Sequence, residues 1–344
     1  MDSMMRIKFW GVRGSYPVPG SATLRYGGNT PCIEIRAGEH TIILDAGTGV
    51  VGLGSELVRR SAMTEEPVRA LMLFSHMHHD HTQGFPFFAP LYLGTTRLTI
   101  LGPGLNGHSP DDILASTMAP PNFPLAYDDL RASNTLRRLQ DRDLILIGRE
   151  VRVQSGTTPE GERDEDEVRI RVLRSYAHPS GVLFYRIEWR GQTVVYATDT
   201  EGYAGGDQRL ATFSEEADLL IHDSQYTLEH YLGLLPGCPT TQGYGHSTPS
   251  MACAVARAAN VKQLALFHFD PSYDDESVAA MERQAQGYFP NTLAAREGLE
   301  IILGTKSEQP TSRRKTKSKL RVDGSNVHRA GQIGATGSQG VKSL

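Results

Sequence analysis

Ala70-Leu71-Met72-Leu73-Phe74-Ser75-His76-Met77-His78-His79-Asp80-His81 sets the reading of the whole chain. Its first five residues are apolar and stop abruptly at Ser75, which predicts a buried strand running into a loop. The loop then carries four histidines and one aspartate within six positions. A buried imidazole needs hydrogen-bond partners and a cluster of protonated ones repels itself, so a structural role explains this density poorly. A loop leaving a strand end aims alternate side chains at one point. His76 and His78 can then bind one cation while Asp80 and His81 turn toward a second, through nitrogen and oxygen donors that suit zinc. His79 is read as pointing away.

Two ions need further ligands, and the chain offers them at other predicted strand ends. His178 stands in Tyr176-Ala177-His178-Pro179, Asp199 follows the strand Val194-Val195-Tyr196-Ala197, and His268 ends Leu264-Ala265-Leu266-Phe267. Singly, each reads as an ordinary residue. As a set they supply a third histidine for each ion and a carboxylate able to bridge both.

The rest of the sequence limits what such a site can belong to. The chain has 344 residues, 39% hydrophobic and 22% charged, a composition that excludes a wholly disordered, collagen-like or disulfide-scaffold protein. No apolar run approaches the roughly 18 residues of a membrane span, and the start has no secretion-signal form, so no membrane and a cytoplasmic location are expected. Cys32, Cys238 and Cys253 share no close spacing, which leaves metal binding to histidine and carboxylate. Of the net charge of −4, the residues from Thr305 onward hold nine Lys/Arg against two Asp/Glu, so the tail carries +7 and residues 1–304 carry −11. Residues 305–344, poor in large apolar side chains, are read as a disordered basic tail. Its first reading is a solubilising end, and its alternative is a tether for nucleic acid.

Residues 1–304 are expected to form one domain, with a surface insertion at about 102–166 where strand patterning weakens. Strand-like runs recur from Arg6 to Phe267, and helical patterns cover 53–60, 111–118, 249–259 and 276–286. Two sheets packed face to face with helices outside fit this mixture better than a doubly wound parallel sheet. No internal repeat is found in the sequence. The loops Gly11-Val12-Arg13-Gly14-Ser15 and Arg25-Tyr26-Gly27-Gly28-Asn29-Thr30 are candidates to line the site, because Gly permits close approach and Arg or Asn can reach phosphate. Gly47-Thr48-Gly49-Val50-Val51-Gly52 is read as a structural turn.

At these residues the sequence resembles the metallo-β-lactamase superfamily, whose H-x-H-x-D-H motif is followed downstream by His, Asp and His. The order is complete here: Asp45, His76, His78, Asp80, His81, His178, Asp199 and His268. The resemblance implies an α/β fold, a four-layer αββα sandwich, with two Zn2+ ions, or Mn2+ or Fe in their place. It puts His76, His78 and His178 on one ion, Asp80, His81 and His268 on the other, and Asp199 between them. Asp45 corresponds to an outer carboxylate that holds the ligand loop.

Three further segments are similar to the ribonuclease Z and phosphodiesterase branch: Ala217 to Ser224 with His222-Asp223, Gly245-His246-Ser247-Thr248, and Phe289-Pro290-Asn291-Thr292. Opening a phosphodiester requires an activated water, charge neutralisation on the phosphoryl oxygens and stabilisation of the departing alkoxide. The two ions answer the first two needs, and Asp80 can orient the attacking group. His246, outside the ligand set, can donate to the leaving oxygen, with Asp223 or His222 fixing its orientation.

Ribonuclease Z carries a long arm between its third histidine and its bridging aspartate. In this chain His178 and Asp199 bracket a predicted hairpin with Arg190-Gly191 at its turn, which leaves no room for such an arm. The acidic body also suits a polyanion poorly. The expected activity is therefore hydrolysis of a small phosphodiester such as a cyclic nucleotide, by a hydroxide held between the metals. The alternatives are a ribonuclease Z-like RNA 3′-end endonuclease that uses the basic tail, and a thioester or lactam hydrolase. A homodimer is the expected assembly if relatives are a guide.

Overall fold

The structure is a computed structural model that describes residues 4–105, 107–121, 123–156, 166–202 and 207–304. The expected disordered tail at 305–344 lies outside the described residues. Six strands open the chain: β1 (Met5–Gly11), β2 (Cys32–Ala37), β3 (His40–Leu44), β4 (Arg69–Leu73), β5 (Arg97–Gly102) and β6 (Ser133–Arg138). Eight more follow: β7 (Leu144–Ile147), β8 (Val151–Gln154), β9 (Val168–Ser175), β10 (Val182–Trp189), β11 (Gln192–Ala197), β12 (Leu219–Asp223), β13 (Leu264–Phe267) and β14 (Thr292–Ala294). The last, β15 (Glu300–Leu303), returns to pair with β1. They form a seven-stranded sheet in the order β15-β1-β2-β3-β4-β5-β6 and an eight-stranded sheet in the order β14-β13-β12-β11-β10-β9-β7-β8.

Side-chain alternation decides what each sheet covers. In β3, Ile42 and Leu44 point into the core shared with Phe184, Tyr196 and Phe267 of the second sheet, while Ile43 between them points the other way. Leu71 and Leu73 of β4 repeat this, with Met72 on the outer side. The outer face is covered by α1 (Gly49–Thr64) through Val50, Leu53 and Leu57. On the far side of the second sheet lie α6 (Pro249–Ala258) and α7 (Asp275–Tyr288), whose buried faces include Val255, Ala256, Val278 and Met281. The order is helix, sheet, sheet, helix, as expected. The shorter helices are α2 (His79–Thr82), α3 (Pro110–Thr117), α4 (Gln208–Phe213) and α5 (Leu228–Tyr231).

The stretch at 102–166, expected as a surface insertion, lays β6 at the edge of the first sheet and β7 and β8 at the edge of the second. It carries the chain from one sheet to the other. Its weak patterning follows from edge position: β6 shows one face to solvent, and Arg137 and Arg138 are exposed.

Both sheets have the same construction. In the first, β1, β2 and β3 run antiparallel, and β3, β4, β5 and β6 run parallel. In the second, β9, β10 and β11 run antiparallel, and β11, β12, β13 and β14 run parallel. Parallel neighbours share a carboxyl end, so the loops after β3, β4, β11, β12 and β13 gather at one edge of the sandwich.

Candidate metal centre

Every sequence-predicted ligand arrives from one of those strand ends or, for His178, from the turn between β9 and β10. β4 delivers Ser75 to His81, with α2 turning Asp80 and His81 inward and leaving His79 exposed. Asp45 follows β3 at φ 59°, Asp199 follows β11 at φ 51°, and His268 follows β13 at φ 67°. The left-handed region is costly for a residue with a Cβ, so three such residues meeting at one point mark a site that the surrounding packing enforces.

The side chains converge as two groups. His76, His78 and His178 form one, and Asp80, His81, Asp199 and His268 form the other, with the donor atoms of each group within 4.8 Å of one another. Asp199 faces both: its Oδ2 lies 3.6 Å from His76 Nε2 and 3.9 Å from His178 Nε2, and its Oδ1 lies 3.2 Å from His81 Nε2 and 3.4 Å from His268 Nε2. Asp80 Oδ2 is 3.2 Å from His268 Nε2 and 3.4 Å from His81 Nε2.

This donor set fits divalent cations. His76 Nε2 is buried with no hydrogen-bond partner, and the Nε2 atoms of His81 and His268 face each other at 3.3 Å. Imidazole nitrogens so placed need a shared cation or proton between them. Burial, reinforced by the His81 charge, holds His76 well below its ordinary pKa, and burial takes His178 down to about 4, so both present neutral nitrogens. Burial disfavours a charged His81 as well, but Asp199, Asp80 and Asp45 outweigh it and push its pKa well above the usual value. The second group therefore holds a carboxylate excess that asks for positive charge.

The far sides of the His81 and His178 rings are also fixed. Asp45 Oδ2 lies 2.8 Å from His81 Nδ1 and accepts from the hydroxyls of Ser75 at 2.8 Å and Tyr196 at 2.7 Å, while its Oδ1 accepts from the Ser75 amide at 2.7 Å. His178 Nδ1 is 3.1 Å from the carbonyl of Gly245, which turns Nε2 into the site. Such partners set the tautomer and the ring orientation.

His246 stands against both groups without joining the ligand sets proposed from sequence. Its ring stacks on His268 at 5.1 Å and meets His178 edge-on at 4.9 Å. Its Nδ1 pairs with Asp223 Oδ2 at 2.7 Å. Burial works against a charged His246, yet the charge and hydrogen bond of Asp223 outweigh it and hold the pKa above its ordinary value. His222 belongs to none of these groups among the described residues. Its Nδ1 bonds the Asp223 carbonyl at 2.7 Å, because neighbouring residues on β12 face opposite ways.

The amino-terminal loops divide. A Cβ on Gly14 would meet the His268 ring at 2.5 Å, so only glycine fits there, and the Ser15 amide donates to Asp80 Oδ2 at 2.8 Å. Arg13 turns away from the site: it is fully buried and donates to the carbonyls of Gly27 at 2.8 Å and Tyr273 at 2.7 Å. Asn29 is likewise bound to Glu297. Sequence reading missed Ser75, Tyr196 and Glu201 as supports of the site. For Tyr196 the available signal was a phenol on the strand that ends in Asp199.

Residues 40–269 match the family model of the β-lactamase superfamily domain, and the chain belongs to that superfamily, as a metal-dependent hydrolase. It is 25% identical over 337 residues to ribonuclease Z of Picrophilus torridus, an alignment covering 90% of this chain and 99% of that one. Among solved structures, the metallo-β-lactamase fold protein YhfI from Bacillus subtilis superposes with a TM-score of 0.59 at 18% identity, over 88% of this chain and 100% of that one. The short form of human tRNase Z gives 0.53 at 19%, over 86% and 98%. Among the described residues, no helix is long and apolar enough to cross a membrane.

Proposed function

We propose that the protein is a phosphodiesterase of the ribonuclease Z type, cutting an RNA phosphodiester. The observation that carries this reading is the 2.7 Å pair of His246 with Asp223, set against the two ligand groups but aimed by a separate carboxylate. A thioester expels a weakly basic thiolate and has little need of such a donor, whereas an alkoxide leaving from phosphorus is a poor leaving group without a proton. The similarity to ribonuclease Z over nearly the whole of the relative's length supports the nucleic-acid substrate.

In this reading His76, His78 and His178 would hold one ion and Asp80, His81 and His268 the other, with Asp199 available to both. Two zinc ions are proposed from the nitrogen-rich donor set. Bound there, they would supply Lewis acidity on the phosphoryl oxygens and a nucleophilic water near neutral pH. The chain does the rest. Asp80, steadied by the Ser15 amide, orients the attacking group; Asp45 keeps His81 and the Ser75 turn in place; His246, charged and aimed by Asp223, hands its Nε2 proton to the leaving oxygen.

A second reading has its own support. β10 and β11 form a direct hairpin between His178 and Asp199, where ribonuclease Z carries its arm, and residues 1–304 carry −11. Both favour a small phosphodiester such as a cyclic nucleotide. The test is one panel on the metal-loaded protein: a precursor RNA with a 3′ extension, cyclic nucleotides, bis(p-nitrophenyl) phosphate, a thioester and a lactam, with and without residues 305–344. Cleavage of the RNA at one position supports the first reading. Turnover of the small diesters alone supports the second, and hydrolysis of thioesters or lactams without any diester turnover rejects both.

A further inference from the structure

Glu201 is half-buried at the edge of the site and touches none of the ligand atoms, yet three loops meet on it. Its amide donates to the carbonyl of Ala177 at 3.2 Å, next to His178. Its Oε1 accepts from the Gly243 amide at 2.8 Å and the Tyr231 hydroxyl at 2.6 Å, and its Oε2 accepts from the Gly245 amide at 3.0 Å. Two residues before it on the chain is Asp199, and one residue after Gly245 is His246. The neighbouring backbone is joined too: the Ser247 hydroxyl donates to the Thr200 carbonyl at 2.5 Å and accepts from the Gly202 amide at 3.0 Å.

Asp223 holds the end of this loop, through His246 Nδ1 and the Ser247 amide, and Glu201 holds the two glycines that precede it. Gly243 and Gly245 both have positive φ, at 84° and 87°, a conformation glycine adopts without strain but does not enforce. Gly245 is also pressed on His178, where an added Cβ would come within 2.4 Å of Nδ1. An ionised carboxylate accepting two amides from such a segment is a strong local constraint, because charge-assisted hydrogen bonds are about twice as strong as neutral ones.

We infer that Glu201 is a positioning residue that fixes the Gly243–His246 segment, and so places the His246 proton against the leaving oxygen. The inference rests on the reading of His246 as the general acid. A displacement of about 1 Å in a reacting group costs on the order of 10²-fold in rate, so a loosened loop has a measurable signature. That signature depends on the leaving group. A dinucleotide expels an alkoxide and needs the proton. Thymidine 5′-p-nitrophenyl phosphate expels a weakly basic phenolate and does not.

The experiment compares wild type, Glu201→Gln, Tyr231→Phe and His246→Ala, all metal-loaded, on these two substrates. Amide hydrogen exchange at Gly243 and Gly245 is measured on the same proteins. Glu201→Gln keeps the size of the side chain but removes its charge and one accepting oxygen. It is expected to lower kcat on the dinucleotide about 10- to 100-fold, to change turnover of the nitrophenyl ester less than threefold, and to speed exchange at both amides. Tyr231→Phe removes only the outer hydrogen bond and is expected to give the same split, weakly; it carries the test should Glu201→Gln fail to fold. Equal losses on both substrates, or no loss on either, overturn the inference. If His246→Ala shows no leaving-group split, the acid reading itself falls and takes this role of Glu201 with it. A split in His246→Ala without one in Glu201→Gln rejects Glu201 alone.

Discussion

Asp45 and Asp199 occupy matching places in the two sheets. Each follows the first parallel strand after an antiparallel set, β3 in one sheet and β11 in the other, and each turns with positive φ at the same edge of the sandwich. Their surroundings differ. Asp45 spends both oxygens on protein hydrogens, from Ser75, Tyr196 and His81. Asp199 accepts one side-chain hydrogen bond, from the Thr198 hydroxyl at 2.6 Å, and otherwise faces histidine nitrogens of both ligand groups. The same backbone device therefore gives a carboxylate that orients the His81 ring in one half and a carboxylate left open to the histidines of both groups in the other. What separates the roles is the number of protein donors that reach the oxygens.

Substitutions test that division, and the largest effect is expected where a carboxylate faces the ligand groups. Asp80→Ala should lose bound metal and activity together, checked by elemental analysis alongside turnover. His246→Ala should retain metal and lose about 10²- to 10⁴-fold in kcat on a diester with an alkoxide leaving group; unchanged turnover would remove it from the mechanism. Asp45→Asn keeps the shape but not the charge beside His81, and should weaken metal affinity about 10- to 100-fold in a chelator competition. An Asp45→Asn protein that loses its metal as completely as Asp80→Ala would place Asp45 among the ligands and break the comparison.

Asp223→Asn probes pH. In the proposed mechanism His246 acts protonated, and Asp223 holds its pKa up against burial. Removing that charge lowers the pKa, so less acid remains at a given alkaline pH and the alkaline limb of the kcat profile should move to lower pH. A limb that stays put shows that another group sets it. The smallest effect belongs to Tyr196→Phe, which deletes one buried hydrogen bond to Asp45 and should cost about 1 kcal/mol in denaturant unfolding with little change in turnover.

The two halves also differ in how legible they were. The first half announces itself, because Ser75 to His81 packs its donors into one loop and an apolar strand leads directly into it. In the second half His178, Asp199, Asp223, His246 and His268 are spread over 91 residues. Order and resemblance named them, but local sequence did not say which would face inward. His222 and Asp223 show the limit: adjacent on one strand, they face opposite ways, and only the register of β12 between β11 and β13 sends Asp223 to His246. Arg13 shows another. Its place between glycines in an amino-terminal loop suggested a phosphate contact, and tertiary packing instead gave it carbonyls to satisfy in the interior.

By itself the sequence determined the chemistry on offer: an apolar strand feeding a histidine loop, a helix-sheet-sheet-helix plan written in alternating side chains, and no cysteine arrangement to compete for metal. It could do so because strand alternation and donor type are local properties. The sharing of one edge by five strand ends, the choice of Asp223 over His222 as the partner of His246, and the hold of Glu201 on the His246 loop were decided only in the folded chain. Each depends on hydrogen bonds between segments far apart in sequence, whose donors and acceptors carry no mark of their partner until the sheets pack.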